Sequence, residues 1–166
     1  MKIAGRAHVF GDDVNTDYII AARHRDKALN PKEFAKHAME DLDPGFSQRV
    51  RPGDFVVAGR NFGSGSSREW APRVLKELQV GGVIARGFAR IFFRNAINAG
   101  LPAVEADTSG IRPGDELELD LEAGKLLNKS QGRELSVAPL PPVMIRILAD
   151  GGLVEHFKKH GDFQVF

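Results

Sequence analysis

Gly59-Arg60-Asn61-Phe62-Gly63-Ser64-Gly65-Ser66-Ser67-Arg68-Glu69 follows the apolar run Phe55-Val56-Val57-Ala58, which reads as a buried strand. After it, Trp70, Val74, Leu75 and Leu78 mark one face of a helix. Between strand and helix lie Gly63 and Gly65, three serines and two arginines, with almost nothing to pack into a core. Glycine lets backbone approach a ligand closely. A helix N-terminus offers unpaired N–H groups and partial positive charge. The stretch therefore predicts a site for an anion, a carboxylate or a phosphate. Ser66 with Glu69 three residues on has the spacing of a capping box. Pro72 predicts that the helix starts late or kinks.

Working outward, Arg51-Pro52-Gly53-Asp54 forms a tight turn into the strand Phe55 to Gly59. The same four letters recur at Arg112-Pro113-Gly114-Asp115, leading into the alternating strand Glu116 to Leu121. The flanks do not match, so this is one turn used twice and no duplication. Val83-Ile84-Ala85 is another buried strand. Arg90 to Ala99 reads as a helix ended by Gly100, and Leu101 to Val104 as a further strand. Upstream, Lys2 to Phe10 alternates weakly as a first strand. An acidic, turn-rich loop, Gly11 to Asp17, follows. Asn30 and Pro31 start a helix as cap and first residue. Phe34, Ala35, Ala38 and Met39 fall on one face of it, and Asp43-Pro44-Gly45 ends it. Beyond Glu116, apolar residues alternate with acids through Val137 as an antiparallel meander with one wet face. Val143 to Leu148 and Leu153 to Phe157 make a final helix pair split at Gly151-Gly152. Residues past Gly161 read as a loose tail. The whole, 1–166, is one α/β domain with a mixed sheet and a short antiparallel meander.

Composition narrows the function. The 166 residues carry a net charge of +1, so no basic field points to nucleic acid. There is no cysteine, which excludes disulfides, a cysteine nucleophile and thiolate ligation of a cluster from this chain. No apolar run reaches the ~18 residues of a membrane span, and Met1 to Phe10 does not read as a signal peptide. The expected location is the cytoplasm. Asp13, Asn15 and Asp17 have calcium-loop spacing, but Tyr18 stands where that loop needs glycine and His24 where it needs glutamate. No P-loop, dinucleotide fingerprint or framed nucleophilic serine occurs. The five histidines show no metal spacing and read as surface residues. Gly65-Ser66-Ser67-Arg68 remains. It is either a capped glycine loop with a solvated arginine, or an anion site where a serine does chemistry. A serine alkoxide becomes accessible if N–H groups and an arginine stabilise its charge. Arg68 is suited to a bidentate grip on a carboxylate.

Three blocks in order make the sequence familiar: Phe10 to Ile20 around Asn15-Thr16-Asp17, Gly59 to Glu69, and Ala89 to Leu101. Together they resemble the small subunits of the aconitase-family dehydratases, the isopropylmalate and homoaconitase types. The resemblance is strong from Ala7 to Leu101 and looser beyond. It implies a swivelling β/β/α domain that closes over a large subunit carrying a [4Fe-4S] cluster, with no cofactor on this chain. It implies a hydro-lyase that shifts a hydroxyl of a small 2-hydroxy acid by removing and re-adding water, the isopropylmalate reaction of leucine biosynthesis being the nearer match. On the matched motifs Ser66 would be the catalytic base and Asp17 an active-site acid that orients its neighbours. Ser67 and Arg68 would bind the substrate carboxylate. The family's specificity loop follows the Ile-Ile anchor, with Tyr-Leu and an apolar residue in isopropylmalate types or Tyr-Leu-Arg in homoaconitases. Counted from Asp17, those positions fall on His24-Arg25-Asp26 and fit neither. Arg23 or Arg25 is the candidate cation for a distal carboxylate, with Asp26 opposing it, and selectivity is expected around Arg23 to Lys27. The rival class is a non-catalytic module that binds an anion or a protein partner.

Overall fold

The computed structural model describes residues 1–25 and 30–161. Four strands, β1 (Lys2–Val9), β2 (Phe55–Ala58), β3 (Gly82–Ala85) and β4 (Ala103–Glu105), run parallel. Three more, β5 (Glu116–Asp120), β6 (Lys125–Asn128) and β7 (Arg133–Ser136), form the expected antiparallel meander. They join one seven-stranded sheet in the order β4-β3-β2-β1-β5-β6-β7. β1 is the seam. It pairs in parallel with β2 (Ala7 opposite Phe55) and antiparallel with β5 (Gly5 opposite Leu117).

The strands β2 and β3 are buried on both faces, as their unbroken apolar runs require. On one face Val56, Ala58, Val83 and Ala85 pack with Val74 and Leu75 of α4 (Trp70–Glu77) and Phe92 and Ala96 of α5 (Arg90–Ala99). Ile19, Met39 and Phe46 from the β1–β2 connection complete that core. On the other face Phe55, Val57, Ile84 and Val104 meet Leu117, Leu119 and Leu126 of the meander and Ile147 and Leu148 of α6 (Pro142–Ala149). The sheet thus curls so that its antiparallel half covers its parallel half. Gly100 ends α5 in the left-handed conformation, as its position predicts.

Both Arg-Pro-Gly-Asp turns flank the seam. Each closes with the aspartate accepting from its own arginine's N–H, Arg51 to Asp54 and Arg112 to Asp115, at 2.9 Å in both. The first turn lies so close to β1 that a Cβ on Gly5 would sit 2.2 Å from the Gly53 carbonyl oxygen. Asp54 is buried and also accepts from the Arg6 N–H and contacts His8 Nε2 at 2.8 Å. Asp115 is buried and accepts from the side-chain amides of Asn128 and Gln131. Burial pushes the Asp54 carboxyl up, but the bonds from His8 and the two backbone N–H groups outweigh it and hold it below the usual carboxylate range.

Three expectations need correction. The helix begun by Asn30, whose Oδ1 accepts from the Glu33 N–H, is α2 (Pro31–Ala35) and stops early. Met39 is left-handed, with φ 60°, because its N–H is taken by the Ile19 carbonyl instead of a helical partner. Ala38 and Met39 are buried all the same. The capping box does not form. α4 begins only at Trp70, and Glu69 at its cap makes no side-chain bond. Pro72 then falls in the first turn, where a missing N–H costs nothing. The histidines are not all on the surface. His156, on α7 (Leu153–His160), is fully buried because Asp150 partners it. The hydrogen bond from His156 outweighs burial and, with Lys159 and His160, pulls the Asp150 carboxyl down to about 2. The tail past Gly161 lies outside the described residues.

A carboxyl depressed in the folded state contributes stability that is complete above its unfolded value, near pH 4. That stability drains as pH falls through the lower folded value. Asp54→Asn should therefore lower the unfolding free energy at pH 7 by roughly 1–3 kcal/mol. The variant should also lose less than the parent on going to pH 3, as read from urea midpoints at the two pH values.

Candidate active site

The loop after β2 is held as the middle strand of an irregular ladder that prolongs the sheet. On one side the chain leaving β1 runs beside it. The Phe10 N–H donates to the Val57 carbonyl, Asp13 to Arg60, Gly63 to Val14 and Thr16 to Ser64, all between 2.7 and 2.8 Å. On the other side the Phe62 N–H donates to Gly87 and the Ala89 N–H to Phe62. Phe62 is the loop's single deep anchor, fully buried with its ring edge-on to Phe88 and Phe92. Burying that ring contributes roughly 2–3 kcal/mol. Glycine is required at Gly63, where φ is 83° and a Cβ would meet the Phe92 ring at 2.2 Å.

Each letter of Asn15-Thr16-Asp17 has its own task. Asn15 Oδ1 caps the short helix α1 (Thr16–Ile19), accepting from the N–H groups of Asp17 and Tyr18. Buried Thr16 donates its hydroxyl to the Ser66 carbonyl at 2.8 Å, which pins the serine's backbone. Asp17 Oδ1 pairs with Arg68 Nη1 at 3.3 Å. Asp13 meanwhile accepts from the Asn61 side chain. The three oxygen-bearing residues with calcium-loop spacing thus serve separate partners.

Ser66, Ser67 and Arg68 line a cleft of about 150 Å³ with Thr16, Gly63, Gly65 and the start of α5 at Ala89, Arg90 and Ile91. Neither serine hydroxyl has a hydrogen-bond partner among the described residues, and both serines are exposed. Ala89 caps α5 without a side-chain bond, so the first N–H groups of this ten-residue helix are left for a ligand. Here the structure corrects the reading of the loop. The helix N-terminus at the site belongs to α5 and not to the helix that directly follows the serines. Larger hollows lie elsewhere, of about 600 Å³ beside Trp70, about 720 Å³ between α5 and α6 and about 350 Å³ beside β1, and none of these contains the serines. Ligand pockets usually measure roughly 300–1,000 Å³. At about 150 Å³ the serine cleft is smaller than that range.

Of the remaining candidates, Arg25 stands with its guanidinium 5.2 Å from the centre of the Trp70 ring, and Arg68 stands 5.8 Å from the same ring. Trp70 thus links the loop's arginine to the site's. Arg23 is drawn to Asp41 at 2.8 Å and Glu40 at 3.5 Å, and its hydrogen bond to Asp41 raises its pKa. It is not brought to the cleft. Asp26 and Lys27 lie outside the described residues. Sequence reasoning missed Thr16 and Trp70 as parts of the site, along with the α5 N-terminus. The alanine before Arg90, where Ser, Thr, Asp or Asn usually stands, was the legible signal for the last of these.

Residues 16–108 match the aconitase C-terminal domain model. A protein named 3-isopropylmalate dehydratase small subunit 2, from Archaeoglobus fulgidus, is 56% identical over 99% of this chain and 100% of its own length. The Thermotoga maritima protein named 3-isopropylmalate dehydratase small subunit 1 is 47% identical over 97% of this chain and 98% of its own. The crystal structure of a 3-isopropylmalate dehydratase from Methanocaldococcus jannaschii superposes with a TM-score of 0.92 at 43% identity, covering 97% of this chain and 96% of that one. Matched across its site by the domain model and nearly end to end by these relatives, the chain belongs to the aconitase C-terminal domain family, beside the small subunits of 3-isopropylmalate dehydratase.

Proposed function

We propose that the chain is the small subunit of an isopropylmalate-type hydro-lyase and that Ser66 is its base. The observation that carries this is a rim on which the Ser66 and Ser67 hydroxyls are uncommitted and Arg68 is held by Asp17, facing the uncapped N-terminus of α5 in a cleft too small for the whole substrate. Arg68 and the α5 N–H groups favour negative charge at the serine, which lowers the cost of an alkoxide. Ser66 Oγ takes the proton from the carbon beside the carboxylate. The C–O bond on the neighbouring carbon breaks, an alkene forms, and the proton and departing hydroxide make up the water lost. Re-addition in the opposite sense moves the hydroxyl. Ser67 and Arg68 hold the carboxylate throughout, and Asp17 keeps Arg68 aimed.

The chain has no cysteine, so a thiolate-held [4Fe-4S] cluster belongs to a large partner subunit, where it would supply Lewis-acid assistance at the leaving hydroxyl. Tyr18 and Ile91, 43% and 53% exposed, stand beside Asp17 and at the cleft. Large apolar groups at such a rim support a covering partner. The engagement of Arg23 by Asp41 and Glu40 leaves it unsuited to a third carboxylate, and the relatives' names favour the isopropylmalate type over homoaconitase. On this reading the enzyme works in the cytoplasm. Among the described residues no helix is long and apolar enough to cross a membrane.

Reconstituted with the large subunit, Ser66→Ala should lower kcat on a 2-alkylmalate by roughly 10²–10⁴-fold. Turnover within about tenfold of the parent would assign the proton to another group. Arg68→Lys, which keeps charge but loses the planar fork, should lower kcat/KM by roughly tenfold or more, most of it in KM. The chain purified alone should be inactive and iron-free by metal analysis. A brown, cluster-bearing preparation of this chain alone would contradict the division of labour between subunits.

A further inference from the structure

At the other end of the chain, the α6–α7 hairpin gathers side chains that the dehydratase reading leaves without a role. Asp150 closes α6, and His156 and His160 stand four residues apart on α7, on one face of the helix. His156 Nδ1 lies 2.7 Å and His160 Nε2 2.9 Å from the same oxygen, Asp150 Oδ2. The three candidate ligand atoms all lie within 4.8 Å of one another. Lys159 Nζ sits on the other oxygen, Oδ1, at 3.1 Å.

We propose that Asp150, His156 and His160 form a divalent transition-metal site, of the zinc class, that fastens the α6–α7 hairpin. Two nitrogens and one carboxylate oxygen suit zinc, with bonds of about 2.0–2.2 Å. Tetrahedral bonds of that length place ligand atoms roughly 3.3 Å apart. Both contacts to Asp150 Oδ2 need to lengthen by about half an ångström: His160, 30% exposed and next to Gly161, can shift on its side, and the Asp150 carboxylate must turn on the His156 side. His156 supplies a fully buried, fixed ligand. Solvent on the His160 side supplies the fourth position. Lys159 is 66% exposed, so its ammonium is free to swing away, but while it stays it competes with the metal for the carboxylate.

The second histidine–carboxylate group, His24, His37 and Glu40, makes a useful contrast. Its imidazoles are stacked parallel, with centroids 3.8 Å apart. Their in-plane lone pairs cannot converge on one ion without breaking the stack.

The test uses the untagged full chain, stripped by chelator and desalted. Cobalt(II) should bind at one equivalent with the d–d absorption of a tetrahedral N/O site, and zinc should displace it. Zinc should also raise the unfolding midpoint. His160→Ala, a change at a partly exposed residue that leaves circular dichroism unaltered, should weaken binding at least about tenfold and abolish the rise. Lys159→Met should tighten binding, an effect that adventitious surface binding would not show. The proposal is overturned if no saturable cobalt signal is seen, or if binding survives His160→Ala and is lost in His37→Ala. It is also overturned if Lys159→Met leaves the affinity unchanged.

Discussion

The structure depends on the parallel hydrogen-bond ladder that continues past the ends of β1 and β2, from Phe10 to Thr16 on one chain segment and Val57 to Ser64 on the other. Without it, a stretch of glycines and serines would be a mobile loop on the sheet's edge. With it, the loop backbone is held as far as Ser64, the Thr16 hydroxyl holds the Ser66 carbonyl, and the side chains of Ser66 and Ser67 stay uncommitted. The ladder also brings together residues some fifty positions apart, so that the Thr16 hydroxyl reaches the Ser66 carbonyl and Asp17 reaches Arg68. The carboxyl ends of parallel strands are where open α/β sheets bind ligands. Here three such ends, after β1, β2 and β3, converge on a single rim.

Much of this architecture was legible because it rests on local chemistry. Gly100 could end a helix wherever the fold placed it, and the Arg-Pro-Gly-Asp turns close on their own aspartates. The unbroken apolar runs of β2 and β3 announced strands buried on both faces. What the residues did not disclose were partners far along the chain. Ser66 and Glu69 had capping-box spacing, but Ser66 is held by Thr16 from the neighbouring loop. Met39 continued a helical face, yet Ile19 claimed its N–H. His156 is the exception, a residue read as surface although its partner Asp150 stands only six positions away, across the Gly151-Gly152 break.

The geometry bears on two tasks that the sequence had already assigned to different stretches. On the proposed reading, recognition of the common carboxylate falls to the Ser66–Arg68 rim and the α5 N-terminus. The loop expected to select the substrate is tied to this rim through Trp70, whose ring has the guanidinium groups of Arg25 and Arg68 at 5.2 and 5.8 Å. Arg23, by contrast, is tied to Asp41 and Glu40 and serves the loop's own anchoring. A change at Arg25 could therefore affect the carboxylate grip through the indole as well as selectivity. The small size of the cleft agrees with the proposal that a large subunit supplies the remaining walls.

The most direct measurement is a crystal structure of the reconstituted two-subunit complex with a bound 2-alkylmalate. The account predicts the substrate carboxylate within about 3 Å of Arg68 and Ser67, at the N-terminus of α5, with Ser66 Oγ at hydrogen-bonding distance from the carbon that loses its proton. A substrate held wholly by the large subunit, with Ser66 facing solvent, would contradict it.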